Sequence, residues 1–213
     1  MFVHRQVFLA CAGERGTVRL WDPYTGRERR RRILDRWRRP AHTAGVSALC
    51  AIPSRSRTRI ASAGHDGTVR IWNLDTGRQE QAFTDHKGRV RAACAFVLRG
   101  QELIASAGDD QIVRIWDTTT GMQHLALQGH TSRVTGLCTI TANGRLLLAS
   151  TSNDGTARVW NPATGALELT IPVHHEATAC AATSDHLIIG SAAGTLAISL
   201  NIAAQGVCRP YLP

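Results

Sequence analysis

The chain has 213 residues, of which 43% are apolar and 19% charged, a composition typical of a globular protein and not of a disordered or collagen-like one. Its formal net charge is +9, but residues 27–39 carry eight arginines against one aspartate and one glutamate, so the excess describes one segment and not a basic molecule. No apolar run approaches the roughly 18 residues of a membrane-spanning helix, which excludes a transmembrane protein.

The first residues of the chain predict folded structure and not a targeting signal. The apolar stretch Val7–Cys11 follows a basic pair, but it is shorter than the apolar region of about 7 to 15 residues that a signal peptide uses. The sequence Phe8–Trp21 also aligns without gaps on Leu103–Trp116 in the middle of the chain. We therefore expect this segment to belong to the fold, with no export signal.

The dominant feature of the sequence is an internal repeat. The segment Ala61–Gly77 recurs as Ala105–Gly121 and as Ala149–Gly165, each time 44 residues later. A poorer copy, Ala10–Gly26, precedes these three, and a decayed copy, Ile189–Leu200, follows them. Three close copies at one spacing indicate that a single structural unit is built several times over.

Fixed spacings also relate the polar residues of each unit. A histidine precedes an aspartate by 24 residues, and the aspartate precedes a tryptophan by six. These residues are His42, Asp66 and Trp72 in one unit, His86, Asp110 and Trp116 in the next, and His130, Asp154 and Trp160 in the third.

Within a unit the local signals are those of β-strands. Val46–Ile52 and Val134–Ile140 alternate apolar and polar residues with a period of two. A short apolar strand follows and ends at a tight turn, which is Asp-Gly in two of the units. A third strand, Thr68–Trp72 in the first complete unit, ends at another turn, and a fourth leads to the next histidine. We therefore predict an all-β protein with four antiparallel strands per unit.

A single four-stranded unit cannot bury both of its apolar faces, so the units have to stack, and stacking around a central channel leaves no long free edges. At this point the sequence resembles the WD-repeat (WD-40) β-propeller family. The resemblance rests on Trp21-Asp22, Trp116-Asp117 and Gly129-His130 together with the spacings above. It implies a buried hydrogen-bonded set of His, Ser, Asp and Trp in each blade. The set consists of His42, Ser62, Asp66 and Trp72; His86, Ser106, Asp110 and Trp116; and His130, Ser150, Asp154 and Trp160.

About four and a half to five blades are expected in one domain, 1–213, as an incomplete or open propeller. The predicted blades span residues 6–35, 45–85, 89–129, 133–173 and 176–208, the last of them degenerate. The first and last units lack the polar set, with Cys11 and Arg15 at its Ser and Asp positions in the first, and with His174 followed by Ile189, Ala193 and Ser199 in the last. We expect these two blades to be the least stable, and the chain to be part of a longer propeller or to close its ring by self-association.

The recurring Ser, His and Asp could suggest a catalytic triad. Because the set occurs three times at one spacing, and an active site occurs once per domain, we interpret it as structural and expect no enzyme. The sequence contains no phosphate-binding loop of either common kind and no recognised nucleic-acid-binding motif. We predict no cofactor and no metal site.

The cysteines follow the repeat as well. Cys50, Cys94 and Cys138 each lie eight residues after the repeat histidine, and Cys180 lies six residues after its own. We expect all four on equivalent innermost strands at similar depths, as small buried apolar residues and not as zinc ligands. Reduced cysteines fit a cytoplasmic protein. Cys208 is the one cysteine that we expect to be reactive.

One segment interrupts the repeat. The spacing from tryptophan to the next histidine is 14 residues in three units but 21 between Trp21 and His42, so the Arg-rich segment 27–40 contains a seven-residue insertion. The resemblance places this connection on the upper face of the propeller, where family members commonly bind partners. The partner-binding candidates on that face are Arg36, Trp37, Arg38 and Arg39 in the insertion, Lys87, Arg89 and Arg133 beside the repeat histidines, and His65, Asp109 and Asn153 before the repeat aspartates.

These observations predict a non-enzymatic scaffold that presents propeller loops to a protein partner, which the basic candidates suggest is acidic. Two alternatives remain. One is binding of nucleic acid or another polyanion through Arg27–Arg39, and the other is an enzyme that uses the central channel, for which we find no polar cluster confined to one blade. The arginine-rich composition and the regular repeats resemble those of bacterial members of the family.

Overall fold

The computed structural model describes residues 9–13, 15–28, 41–54, 57–183 and 186–199. In this part of the chain, strands form five antiparallel sheets, which we number as blades 1 to 5. Blade 1 contains β1 (Leu9–Ala12) and β2 (Val18–Trp21); blade 2 contains β3 (Val46–Ile52), β4 (Arg59–Gly64), β5 (Val69–Asn73) and β6 (Arg78–Phe83); blade 3 contains β7 (Val90–Leu98), β8 (Gln101–Gly108), β9 (Val113–Asp117) and β10 (Gln123–Leu127); blade 4 contains β11 (Val134–Ala142), β12 (Arg145–Ser152), β13 (Thr156–Trp160) and β14 (Leu167–Pro172); blade 5 contains β15 (Ala177–Ala182), β16 (His186–Ser191) and β17 (Gly194–Ser199).

The blades stand side by side around an inner row of strands. Within each blade the strands pair in chain order, and the innermost strands β3, β7, β11 and β15 contact one another in sequence. The second strand of each blade packs on the innermost strand of the next, as β4 does on β7 and β8 on β11. β1 contacts β3 in the same way, so it occupies the second-strand position of blade 1. The predicted all-β fold of antiparallel blades is confirmed, and the described sheets form an incomplete, open propeller of about four to five blades.

The hydrophobic core lies between the blades. All six residues of β4 are buried, because both faces of this strand are covered by neighbouring sheets. In blades 2 to 4 the tryptophan near the end of the third strand packs against the preceding blade. The ring of Trp116 stacks on Phe83 with 4.7 Å between centroids and 20° between planes, and Trp160 belongs to the same apolar cluster as Leu127. The contacts between blades 1 and 2, 2 and 3, and 3 and 4 are therefore each built around one buried indole, whereas the cluster of described residues between blades 4 and 5 contains none.

Every innermost strand of blades 2 to 5 has a bulge after its first residue. A bulge inserts an extra residue and redirects its side chain. Two of the residues at these bulges, Arg91 and Thr135, make polar contacts near the beginning of the innermost strands. Arg91 binds Asp109 through Nε at 2.5 Å, and the Thr135 hydroxyl donates to the carbonyl of Ala177 in the next blade at 2.5 Å.

The turn between the second and third strands differs in blade 3. Gly67 and Gly155 both have a φ of 77° at this turn, whereas Gln111 occupies the same position with a φ of 67°. Backbone of this kind is unfavourable for any residue with a Cβ. We expect Gln111→Gly to raise the free energy of unfolding by about 0.5–1 kcal/mol in urea denaturation, because relief of this strain exceeds the greater entropy of an unfolded glycine. Gly155→Gln should lower the free energy of unfolding by a similar amount. Equal stability of the unchanged protein and both variants would contradict the claim that the backbone at Gln111 is strained.

Candidate functional site

Polar side chains form a hydrogen-bonded chain across the inside of blade 2. The imidazole of His42 lies between Asp66 and Ser62, with Nδ1 2.8 Å from a carboxylate oxygen and Nε2 2.7 Å from the hydroxyl oxygen. The indole N–H of Trp72 donates to the same hydroxyl at 2.9 Å. The residues that the sequence grouped by spacing are thus in direct contact.

Blades 3 and 4 repeat this arrangement. We call the three sets together the His–Ser–Asp–Trp network. The His–Asp, His–Ser and Trp–Ser distances are 3.0, 2.8 and 2.7 Å for His86, Asp110, Ser106 and Trp116, and 2.8 Å in each case for His130, Asp154, Ser150 and Trp160.

One arrangement of protons satisfies each set. A carboxylate can only accept, so Nδ1–H of the histidine donates to the aspartate, and the neutral Nε2 accepts the serine O–H while the serine oxygen accepts the indole N–H. Ser62, Ser106 and Ser150 are fully buried. A catalytic nucleophile has to meet its substrate, and these hydroxyls cannot do so in the folded protein.

Burial and hydrogen bonding fix the charges of the network. Burial lowers the pKa of His42 and of His130 from the usual 6.5, despite the neighbouring aspartates. Burial alone would raise the pKa of Asp66 and Asp154, but hydrogen bonds from the histidines and from nearby threonines outweigh it and lower both to about 2. The sets of blades 2 and 4 therefore combine a neutral imidazole with an ionised carboxylate.

The aspartates also hold the loops at one end of the propeller. Asp66 accepts the backbone N–H of Thr43 at 3.1 Å, Asp110 that of Lys87 at 3.3 Å, and Asp154 that of Thr131 at 3.1 Å. These three donors each follow a network histidine. The upper face, defined here by these loops and by the turns that carry the three aspartates, is thus tied to the core of each blade.

The upper-face candidates in the described part of the chain fall into two groups. His65, Lys87, Arg89 and Arg133 are exposed. Asp109 and Asn153 are half-buried and have partners within the chain: Asp109 pairs with Arg91, and Asn153 donates to Glu176 of blade 5 at 2.7 Å. The first group is available to a partner, whereas the second contributes to the internal structure of the rim.

The repeat matches a known family of sequences. The sequence model of the family described as "WD domain, G-beta repeat" matches residues 36–73, 77–117 and 121–161. These three matches cover more than half of the chain.

The chain belongs to the WD40 repeat family.

A search of the curated proteins finds no significant match. The WD40 assignment agrees with the open propeller and with its network, and WD40 repeats generally mediate protein–protein interactions as scaffolds and are typically non-enzymatic.

Each matched WD40 unit also carries an arginine that we did not single out from the sequence. The guanidinium groups of Arg70 and Arg114 lie 3.4 and 3.3 Å, respectively, from a carboxylate oxygen of the network aspartate in their own blade. Arg158 instead lies over the ring of Trp160, 5.9 Å from its centroid. The signal was present in the sequence, because an arginine stands two residues before the tryptophan in all three units.

A second polar cluster lies at the opposite end of the propeller from the upper face. Arg59, only 7% exposed, bridges Glu80 of its own blade and Glu102 of blade 3, and also donates to Thr118 at 3.3 Å. These residues line an open cleft of about 700 Å³. The other two units have Leu103 and Leu147 where Arg59 stands. From the sequence we found no polar cluster confined to one blade, and this cluster spans two, since Arg59 and Glu80 belong to blade 2 and Glu102 to blade 3. It was not predicted, because Arg59 is a single departure from the repeat.

The prediction for one cysteine needs correction. Cys50, Cys94 and Cys138 pair across the sheet with Ala61, Ala105 and Ala149. Cys180 instead pairs with Ile189, the residue at the Ser position of the network. Cys180 therefore stands at the strand position of Leu137, which pairs with Ser150, and not at that of Cys138, so its side chain is on the other face of the sheet.

Some predicted features lie outside the described residues. They are Arg36, Trp37, Arg38, Arg39 and Cys208. Within the described ranges, no group of three or more His, Cys, Asp or Glu residues could hold a metal ion, and no helix is long and apolar enough to cross a membrane. His174 of the decayed WD40 unit is exposed and has a φ of 63°.

Proposed function

We propose that the protein is a non-enzymatic scaffold whose upper face binds an acidic segment of a partner protein. The observation that supports this most directly is the state of Lys87, Arg89 and Arg133. All three are exposed, and their side chains form no ion pair with any described residue. By contrast, Arg91 on the same face is already paired with Asp109. The free cations are available to carboxylates of a partner.

Rigidity of the rim supports the same proposal. The backbone N–H of Lys87 is bound by Asp110 and that of Thr131 by Asp154, so the network holds the loops that carry the cations. Binding to loops that are already ordered costs less conformational entropy than binding to mobile ones. Guanidinium groups also bind carboxylates through two parallel hydrogen bonds, which adds specificity.

The proposal includes a cytoplasmic location, on the basis of Cys11, Cys50, Cys94, Cys138 and Cys180, which are free thiols. Free thiols persist where glutathione and thioredoxin keep the compartment reducing. The alternative function, binding of a nucleic acid, depends on the Arg27–Arg39 segment. Only Arg27 of its arginines lies in the described residues, where it is exposed.

A charge-reversal experiment tests the proposal. We expect a short fluorescein-labelled polyglutamate peptide to bind the full chain, and Lys87→Glu/Arg89→Glu/Arg133→Glu to weaken the binding about tenfold or more in fluorescence anisotropy. The control is Arg78→Glu/Arg99→Glu/Arg145→Glu, which changes the net charge equally at exposed positions away from the upper face. Equal loss in both triple variants would contradict an upper-face site.

The same assay distinguishes the nucleic-acid alternative. The alternative is favoured if labelled double-stranded DNA binds and the affinity falls steeply as the salt concentration rises. This binding should depend on Arg36–Arg39 and not on the upper-face cations. Binding of the acidic peptide without binding of DNA would favour the scaffold.

A further inference from the structure

Two cysteines of neighbouring blades face each other at the inner surface of the propeller. Cys138 packs in the apolar cluster between blades 4 and 5, whereas Cys50 and Cys94 pack in the corresponding clusters further back along the ring. Each of these three side chains faces the blade that follows it. Cys180 is one residue out of step and faces the blade that precedes it. The side chains of Cys138 and Cys180 therefore point into the same cluster from opposite sides.

The backbones come close together at this place. Gly136 has no side chain, and a Cβ built on it would lie only 2.8 Å from the backbone nitrogen of Cys180. Cys138 is two residues further along β11 and on the same face of the strand. The sulfur of Cys180 lies 4.0 Å from the carbonyl oxygen of Ala149, the residue paired with Cys138 across the sheet.

The environment makes the two sulfurs unequal. The hydrogen bond from Cys138, together with one from Thr151, lowers the pKa of Cys180 despite its burial. The same contact and burial raise the pKa of Cys138. Cys180 is thus the better nucleophile of the pair and Cys138 keeps its proton, a division of roles that suits a thiolate with a resolving thiol beside it.

We propose that Cys138 and Cys180 form a peroxide-sensitive pair that is oxidised to a disulfide joining blades 4 and 5. In the first step the Cys180 thiolate attacks hydrogen peroxide, the O–O bond breaks, and a sulfenic acid and hydroxide form. In the second step the Cys138 sulfur attacks the sulfenic sulfur, and its proton leaves with the hydroxyl group as water. Two thiols and one peroxide give one disulfide and two waters. Both residues are partly exposed, so a small oxidant can reach them.

The link would act where the non-covalent structure is weakest. Blade 5 has Ile189 at the network's Ser position, and the exposed His174 does not supply the imidazole. The disulfide would close a loop of about 40 residues and restrict the unfolded chain. It would hold blade 5 on blade 4 under oxidising conditions and release it when the cell is reducing, which gives a redox-dependent stability to this end of the propeller.

Peptide mapping of the intact protein tests the proposal. The reduced full chain is treated with hydrogen peroxide, alkylated and digested with trypsin and endoproteinase Asp-N without reductant. The peptide 134–145 contains Cys138, and 159–184 contains Cys180 but not Cys208. We expect these two peptides to be linked, with the loss of two thiols per peroxide consumed. The melting temperature should rise by roughly 5–10 °C and return on reduction with dithiothreitol.

Variants assign the roles of the two residues. Cys94→Ser should form the link as the unchanged protein does. Cys138→Ser should still consume peroxide but stop at the sulfenic acid, detectable by dimedone labelling, and Cys180→Ser should react at least tenfold more slowly. The proposal is overturned if peroxide treatment of the folded protein yields no 138–180 link, or if the link forms equally in urea. Mapping of the unchanged protein remains decisive even if a variant fails to fold.

Discussion

Replacing Trp116 with alanine is expected to lower the free energy of unfolding by about 3–5 kcal/mol, measured by urea denaturation. The side chain is 2% exposed and stacks on Phe83 of the preceding blade. Its indole N–H is also a donor to the buried Ser106. The substitution therefore opens a cavity between blades 2 and 3 and removes a partner from the His–Ser–Asp–Trp network.

Two further variants separate the causes of this effect. Trp116→Phe keeps most of the packing but removes the hydrogen bond, so it should cost less than Trp116→Ala. Tyr24→Ala removes an aromatic ring that is 84% exposed and should change stability by no more than about 0.5 kcal/mol. A loss below about 1 kcal/mol for Trp116→Ala would be incompatible with an indole at the centre of a blade contact.

Acid should destabilise the protein strongly. The pKa of Asp66 and of Asp154 is about 2 in the folded protein, against 3.8 for an unperturbed aspartate, so the folded state binds fewer protons than the unfolded state between these values. The stabilisation is complete above pH 3.8 and is lost as the pH falls toward 2, at a cost of roughly 2 kcal/mol for each carboxylate. The lowered pKa of His42 and His130 acts in the same direction, because unfolded histidines take up protons as the pH falls below 6.5.

Urea denaturation at a series of pH values measures this dependence. We expect the free energy of unfolding to fall from pH 7 downward, with the steepest part below pH 4. Asp154→Asn should be less stable at pH 7 and should show a shallower fall in acid, because one of the titrating groups has been removed. Stability that stays constant or rises toward pH 3 would show that the aspartates are not held as charged hydrogen-bond acceptors.

The residues that repeat were the ones that the sequence predicted best. His42, Asp66 and Trp72 recur at fixed spacings in three units, and a spacing that is kept three times reports a common geometry. The structure places these side chains in contact. The upper-face position of Lys87, next to a network histidine, was implied by the resemblance to the family and not by the spacing alone.

The features that the sequence did not reveal are those that occur once. Arg59 replaces a leucine in one blade only, and its partner Glu102 is 43 residues away in the next blade, so no local pattern connects them. The pairing of Asp109 with Arg91 depends on the bulge in β7. The alternation of apolar and polar residues in the sequence does not predict where this bulge lies. The spacing of Cys180 from the repeat histidine is two residues shorter than in the other units, but a difference of two keeps a side chain on the same face of a strand, so the displaced register of Cys180 could not be predicted from it.

The burial of second strands such as β4 on both faces has a consequence for how the molecule loses its structure. Each internal sheet supplies one wall to the core before it and one wall to the core after it, so the melting of an internal sheet exposes two cores at once. Energetic coupling then passes only between nearest neighbours along the row. The smallest segment that can open by itself is an end blade, which exposes one core, while an internal blade can come apart only together with a neighbour.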